Sequence, residues 1–216
     1  MKMNSLKNKI YSLAFGTGLL FASFAQAEMN NFNFAAGGDR NVVKYESDAP
    51  IENIVGITGK ASGDISIDPM NLNGKISGQV TVDVASFNSG IELRDEHFRD
   101  NYLHTEKYPT ATFTFNKIVK SDKKAVKKGE SVKVTIAGTM MMHGMKKDME
   151  IQTTITYLNA IKELEGYGYK GDLLVIKSDF NIKLADFGIE RPEFLMLKLA
   201  DEINIDVVVT GGTESK

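Results

Sequence analysis

Three histidines, four methionines within one hexapeptide and a lysine-rich loop are the residues whose types and spacing could do chemistry. His97 and His104 stand seven apart, two helical turns, so on a helix they would share a face. With Asp95, Glu96 or Asp100 they would make a nitrogen and oxygen metal site. The spacing is not H-E-x-x-H or another recognised ligand pattern, so histidines on a helix at a pocket rim are the preferred reading. Met140, Met141, Met142, His143 and Met145 offer the soft thioethers that suit copper(I). On an alternating strand, however, Met140 and Met142 face one side and Met141 the other, which favours flexible core filler. Lys117, Lys120, Lys123, Lys124, Lys127 and Lys128 would suit anionic lipid head groups. A solvated hairpin tip accounts for them more simply. G-x-S-x-G and P-loop patterns are absent. Residues 68–74 place Met70 and Leu72 in what would be a calcium loop, so a hairpin turn is the better reading. No catalytic residue, cofactor or metal ligand is assigned.

The bulk properties narrow the setting. Lys2, Lys7 and Lys9 precede an apolar run from Ile10 to Phe24, and Ala25-Gln26-Ala27 follows. That order is a secretory signal peptide, with cleavage expected after Ala27. The run falls short of the about 20 apolar residues that span a bilayer, so no integral membrane anchor is expected. Removing the three leader lysines takes the net charge from −2 to −5. An acidic domain does not favour phosphate backbones, so nucleic acid is not an expected partner. With no cysteine in the chain, disulfides, thiol catalysis and thiolate metal sites are excluded. Residues 28–216 suit one domain in an exported, periplasmic setting.

The elements that must position these residues are strands. Val80, Val82 and Val84 alternate with polar or small residues, as do Ala111, Phe113 and Phe115, and Val132, Val134 and Ile136. Met149 to Tyr157, Ile176 to Leu184 and Ile203 to Val209 keep the same period of two. Each run has one apolar and one wet face, as antiparallel sheets require. Turn signals fall at 68–74, 120–130, 143–144 and 166–171. Many strands at short spacing predict a closed barrel or sandwich. Residues 28–40, with isolated Phe32 and Phe34, read as a loose start or short edge strand. Residues 91–104 break the alternation and predict one short helix, stopped by Tyr108-Pro109.

Several stretches together resemble the YceI-like family of bacterial periplasmic proteins. GQVTVDVASFNS at 78–89 runs into Leu93-Arg94-Asp95-Glu96-His97-Phe98, similar to the family's R-(D/N)-x-H-(L/F) helix. Glu106-Lys107-Tyr108-Pro109 with Phe113 follows its E-K-Y-P-x-x-x-F signature, residues 137–149 its G-x-(L/M)-x-(L/M)-H-G turn, and 178–189 a strand ending in D-F-G-I. Residues 190–194 form an insert-like piece beyond that pattern. The resemblance implies an all-β fold, an extended lipocalin-like antiparallel barrel of about eight strands with one short helix near 91–104. It further implies an apolar pocket holding a polyisoprenoid chain, a quinone tail or prenyl phosphate, and dimers among some members.

The expected role is therefore a periplasmic binding or carrier protein for such a lipid, not an enzyme. Alternatives are an enzyme or stress protein acting on a small amphiphile, and copper handling through 140–145. The expected pocket lining is Val82, Val84, Phe98, Phe113, Phe115, Val134, Ile136, Met140, Ile155, Phe180 and Phe187. Arg94 and His97, carried over by motif, are placed at the mouth, either to meet a polar head group or to pin the helix to the barrel.

Overall fold

The computed structural model describes residues 29–214; the expected leader at 1–27 lies outside them. The strands are β1 (Asn30–Asn33), β2 (Val42–Asp48), β3 (Asn53–Thr58), β4 (Ala61–Ile67), β5 (Ile76–Asp83), β6 (Thr110–Ser121), β7 (Glu130–Met142), β8 (Met145–Leu158), β9 (Lys170–Lys183) and β10 (Glu202–Glu214). All pair antiparallel in one sheet, in the order β1-β4-β5-β6-β7-β8-β9-β10-β2-β3. A further pairing, Asn33 opposite Gly212, joins β1 to β10 and closes a ring of eight strands. β2 and β3 lie outside that ring order but inside the wall. β1 and β2 are consecutive halves of one wall position, both bonded to β10, and β3 leads directly into β4. Closure leaves the eight-strand ring without a free edge, while β3, paired with β2, is met on its other side by a single bridge from Ile57 to Asn88.

The N-terminal stretch departs from expectation. It is not a loose edge: β1 pairs with β4 on one side and β10 on the other, and Phe32 and Phe34 are fully buried. The cause is the break between β1 and β2, two single-turn 3-10 helices at Phe34–Ala36 and Gly38–Arg40. They swing the chain inward so that both rings enter the core. Buried Asn41 satisfies the backbone at this break. Its amide nitrogen donates to the carbonyls of Phe34 (2.8 Å) and Ala61 (3.2 Å), and its amide oxygen accepts from the Thr210 N–H (3.0 Å).

The interior divides along the barrel axis. At one end Phe32, Phe34, Leu72, Val126, Val132, Val134, Ile136, Ile155 and Tyr157 pack solidly. Two loops stopper this end. The Leu72 N–H donates to the Lys124 carbonyl and the Val126 N–H to the Pro69 carbonyl, and both side chains are fully buried. The lysine-rich loop is thus more than a solvated tip, because Val126 anchors it as a plug. Asp172 ties the same end together, accepting from Lys128 Nζ, the Tyr157 hydroxyl and the Ala160 amide. At the other end a second cluster, with Tyr45, Leu103, Leu184, Phe187 and Ile203, rings an opening.

The helical excursion belongs to the open end. The helix α1 (Glu92–His97) continues as a π-turn over Phe98–Tyr102. His104 then lies outside the helix, with φ +46°. His97 and His104 therefore do not share a helical face, and the expected pairing of the two is corrected. Among the described residues no cluster of three or more His, Cys, Asp or Glu side chains could hold a metal ion, and no helix is long and apolar enough to cross a membrane.

Candidate functional site

The open half of the barrel holds a cavity of about 680 Å³ with an overwhelmingly apolar wall. Alternation explains the wall. Every second residue of β5, β6, β7, β8, β9 and β10 points inward, giving Val80 and Val82, Phe113 and Phe115, Met140 and Met142, Ile151, Ile176 and Phe180, and Ile203 and Ile205. The small hydroxyls that interrupt it are satisfied: Thr153 Oγ1 lies 2.9 Å from Ser178 Oγ across the β8–β9 pair, and Ser47 Oγ accepts from the Ala200 N–H at 2.9 Å. A hydroxyl pair bonded in this way costs little to keep dry.

Of the residues expected to line the pocket, Val82, Val84, Phe98, Phe113, Phe115, Met140 and Phe180 do so. Val134, Ile136, Ile155 and Phe187 do not. The first three have the inward parity but sit towards the stoppered ends of β7 and β8, where side chains fill the whole cross-section. Alternation reports which face a residue occupies, not its height along the barrel. Phe187 ends a 3-10 turn, Leu184–Phe187, and packs fully buried in the rim cluster.

Three segments that the strand pattern could not place build the mouth. α1 and its π-turn contribute Leu93, Arg94, His97, Phe98 and Tyr102. The β2–β3 turn contributes Glu52, with Ile54 beside it at the start of β3, and the stretch after the D-F-G-I sequence contributes Phe194, Leu195, Lys198 and Leu199. That stretch, an insert without a place in the sequence pattern, lies at the entrance. Its one cheap signal is its own composition, FLMLKL, an apolar run with no partner strand.

Ser89 is the hub that fastens α1. Its N–H donates to both oxygens of buried Asp95 (3.0 and 3.1 Å), and its hydroxyl donates to Asp95 Oδ1 (2.5 Å). Arg94 donates from Nε to Ser89 Oγ (2.8 Å), from Nη2 to the Ser89 carbonyl (2.9 Å) and from Nη1 to Glu52 Oε1 (3.1 Å). Three of its five N–H groups are thus engaged in holding α1 to the β2–β3 turn. Arg94 has the geometry of a pin. His97, at the same mouth, is exposed and carries no such fastening.

Tyr45 roofs the cavity from β2. Its ring stacks on Phe98 (5.1 Å between centroids, 8° between planes) and meets Phe87 edge-on at 5.2 Å. Burial pushes its phenol up to about 12, with Asp95 adding to the rise and Arg94 opposing it.

The methionine and histidine group is split by the wall. Met140 and Met142 face the cavity, whereas His143 turns to the outer rim. Its Nδ1 lies 2.9 Å from the Phe187 carbonyl, which can only accept, so Nδ1 carries the proton. Its Nε2 lies 2.8 Å from His104 Nδ1. His143 and Gly144 both have positive φ, as the two-residue turn joining β7 to β8 requires. The thioethers and the imidazole of 140–145 therefore do not converge as a copper site would need.

A closed antiparallel barrel, plugged at one end and opening at the other into an apolar cavity, is the architecture of a small-ligand binding barrel. The YceI-like domain model matches residues 39–211, and this chain belongs to the YceI-like family. Among solved structures, it is similar to a polyisoprenoid binding domain from Saccharophagus degradans implicated in plant cell wall breakdown, at 18% identity and TM-score 0.63, covering 88% of this chain and 100% of that one. It is also similar to Burkholderia cenocepacia BcnA, at 20% identity and TM-score 0.60, covering 83% and 98%. The Campylobacter jejuni YceI protein gives 27% identity and TM-score 0.56, covering 76% and 88%. No curated protein sequence matches the chain.

Proposed function

We propose that this protein is a periplasmic carrier that takes up a polyisoprenoid lipid, a quinone or a prenyl phosphate, in the barrel cavity and performs no chemistry on it. The observation that carries the reading is the wall itself. The cavity of about 680 Å³ falls in the size range of small-ligand sites, and its buried hydroxyls, Thr153 and Ser47, are already satisfied. A branched hydrocarbon chain is the ligand class such a wall selects. Each five-carbon unit leaving water would contribute on the order of a few kcal/mol. The leader expected from the sequence and the likeness to the polyisoprenoid binding domain of Saccharophagus degradans support this reading. His97, exposed at the mouth, is the residue proposed to meet the polar head, and Arg94 the residue that holds α1 for it.

The test is mass spectrometry of lipid extracted from protein isolated gently from its native envelope. A series of ions spaced by one isoprene unit is expected. It should be lost when Phe180, in the middle of the wall, is replaced by Asp while the strand content is kept. Protein that emerges empty, and that fails to take up prenyl alcohols added afterwards, would overturn the proposal.

A further inference from the structure

The cavity wall does not stop at the mouth. Phe194 is 80% exposed, Leu93 60% and Ile91 53%, yet all three also line the cavity. Beside them Ile51, Met196 and Leu197 are 65%, 46% and 58% exposed. Three separate segments bring these six together. The Ile51 N–H donates to the Leu197 carbonyl at 3.0 Å, and Arg94 bridges α1 to Glu52 next to Ile51. Apolar side chains therefore extend from the outside of the molecule to the inside of the barrel, with Glu52, Arg94, His97 and Lys198 set among them. Scattered exposed leucines are ordinary, but a set of this size around an opening is not.

We infer that this rim is a docking surface for a lipid bilayer, whose interfacial zone it enters so that cargo passes between membrane and cavity without crossing water. The inference rests on the carrier reading for its purpose, but its geometry stands alone. Charge decides between a bilayer and a second copy of the chain. In the two segments that carry most of the rim, 91–100 and 190–202, acids outnumber bases eight to four. A two-fold dimer through this face would set one acidic collar against another. The same collar is repelled by anionic head groups, so the contact is made by apolar insertion into a zwitterionic surface and not by charge. A fluid bilayer also leaves the opening passable, which a second protein copy would seal.

The experiment is cosedimentation with phosphatidylcholine vesicles. Wild-type protein should partition onto them, and raising salt from about 0.1 to about 0.5 M should leave that unchanged, since only the charge contribution is screened. Replacing Ile51, Met196 and Leu197 together by Asp should lower the partition about ten-fold or more. These three do not line the cavity, so binding of a short prenyl alcohol in vesicle-free solution should stay within about two-fold of wild type, which also reports an intact fold. Wild-type protein that ignores the vesicles, or a triple variant that sediments with them like wild type, would overturn the docking surface. So would a wild-type dimer that the triple variant dissociates in sedimentation velocity. Vesicle binding without prenyl-alcohol binding would uphold the docking surface and count against the carrier reading instead.

Discussion

Tyr45 lies directly across the β2–β3 pair from Gly56, and a Cβ at Gly56 would fall 2.2 Å from its ring. The glycine is what lets the ring fold over the strand to reach Phe98. With its phenol pushed up to about 12, against an ordinary value near 10, the folded protein keeps a proton that the unfolded chain sheds. Between those two pH values the native state binds more protons, so stability falls as pH rises, by roughly 2–3 kcal/mol in total. Below pH 10 the contribution is fully present. Tyr45→Phe keeps the ring and removes the ionisable group. Urea unfolding should therefore show the variant gaining on wild type by that amount between pH 9 and pH 12. A gap between the two proteins that does not change with pH would exclude Tyr45 as the source.

Six helical residues and one π-turn are too few to hold themselves together in water. What keeps α1 at the mouth is the Ser89, Asp95, Arg94 and Glu52 network and the Phe98 stack. Arg94→Ala removes three hydrogen bonds at once. Amide exchange across 92–102 should quicken by about ten-fold or more, while protection in β7 and β9 stays as in wild type. Arg94→Lys should recover only part of the protection, because an ammonium cannot make the forked contacts to Ser89 and Glu52 together. Uniform loss of protection across the barrel would argue against so local a role. The strands were legible in the sequence because a half-buried antiparallel strand announces itself by alternation, and from Val80 to Val209 the inward residues are those the period of two selects. Height within the barrel was not legible. Val134 and Phe113 have the same parity, yet one is core and the other cavity wall. Nor could alternation find the mouth, whose residues come from a turn, a short helix and an irregular stretch brought together only by the closed fold.

The ring closes at one seam, where β10 meets β1 and β2, and Asn41 is the side chain that seals it. It answers three backbone groups from three parts of the wall: Phe34, Ala61 and Thr210. Asn41→Ala would strip this partner from the Ala61 carbonyl and the Thr210 N–H, at about 1–3 kcal/mol each, and would leave the Phe34 carbonyl only the Gly37 N–H. A fall of about 3–5 kcal/mol in unfolding free energy is expected, a large share of what a domain of this size has. The fall should be read from the urea midpoint at unchanged slope. A loss under about 1 kcal/mol would mean that water replaces the amide there. Nothing in the sequence marks Asn41, since a buried asparagine and a loop asparagine look alike until the chain around them is closed.

That seam also sets an order in time. β10 is bonded to β9 along its whole length and to β2 and β1 along its other edge. Of the described strands it is the last to leave a ribosome, and the first strand made, β1, has no second neighbour until it arrives. The barrel therefore cannot shut before β10 is made, and the ladder from β4 to β9 stays open at both flanks until it arrives.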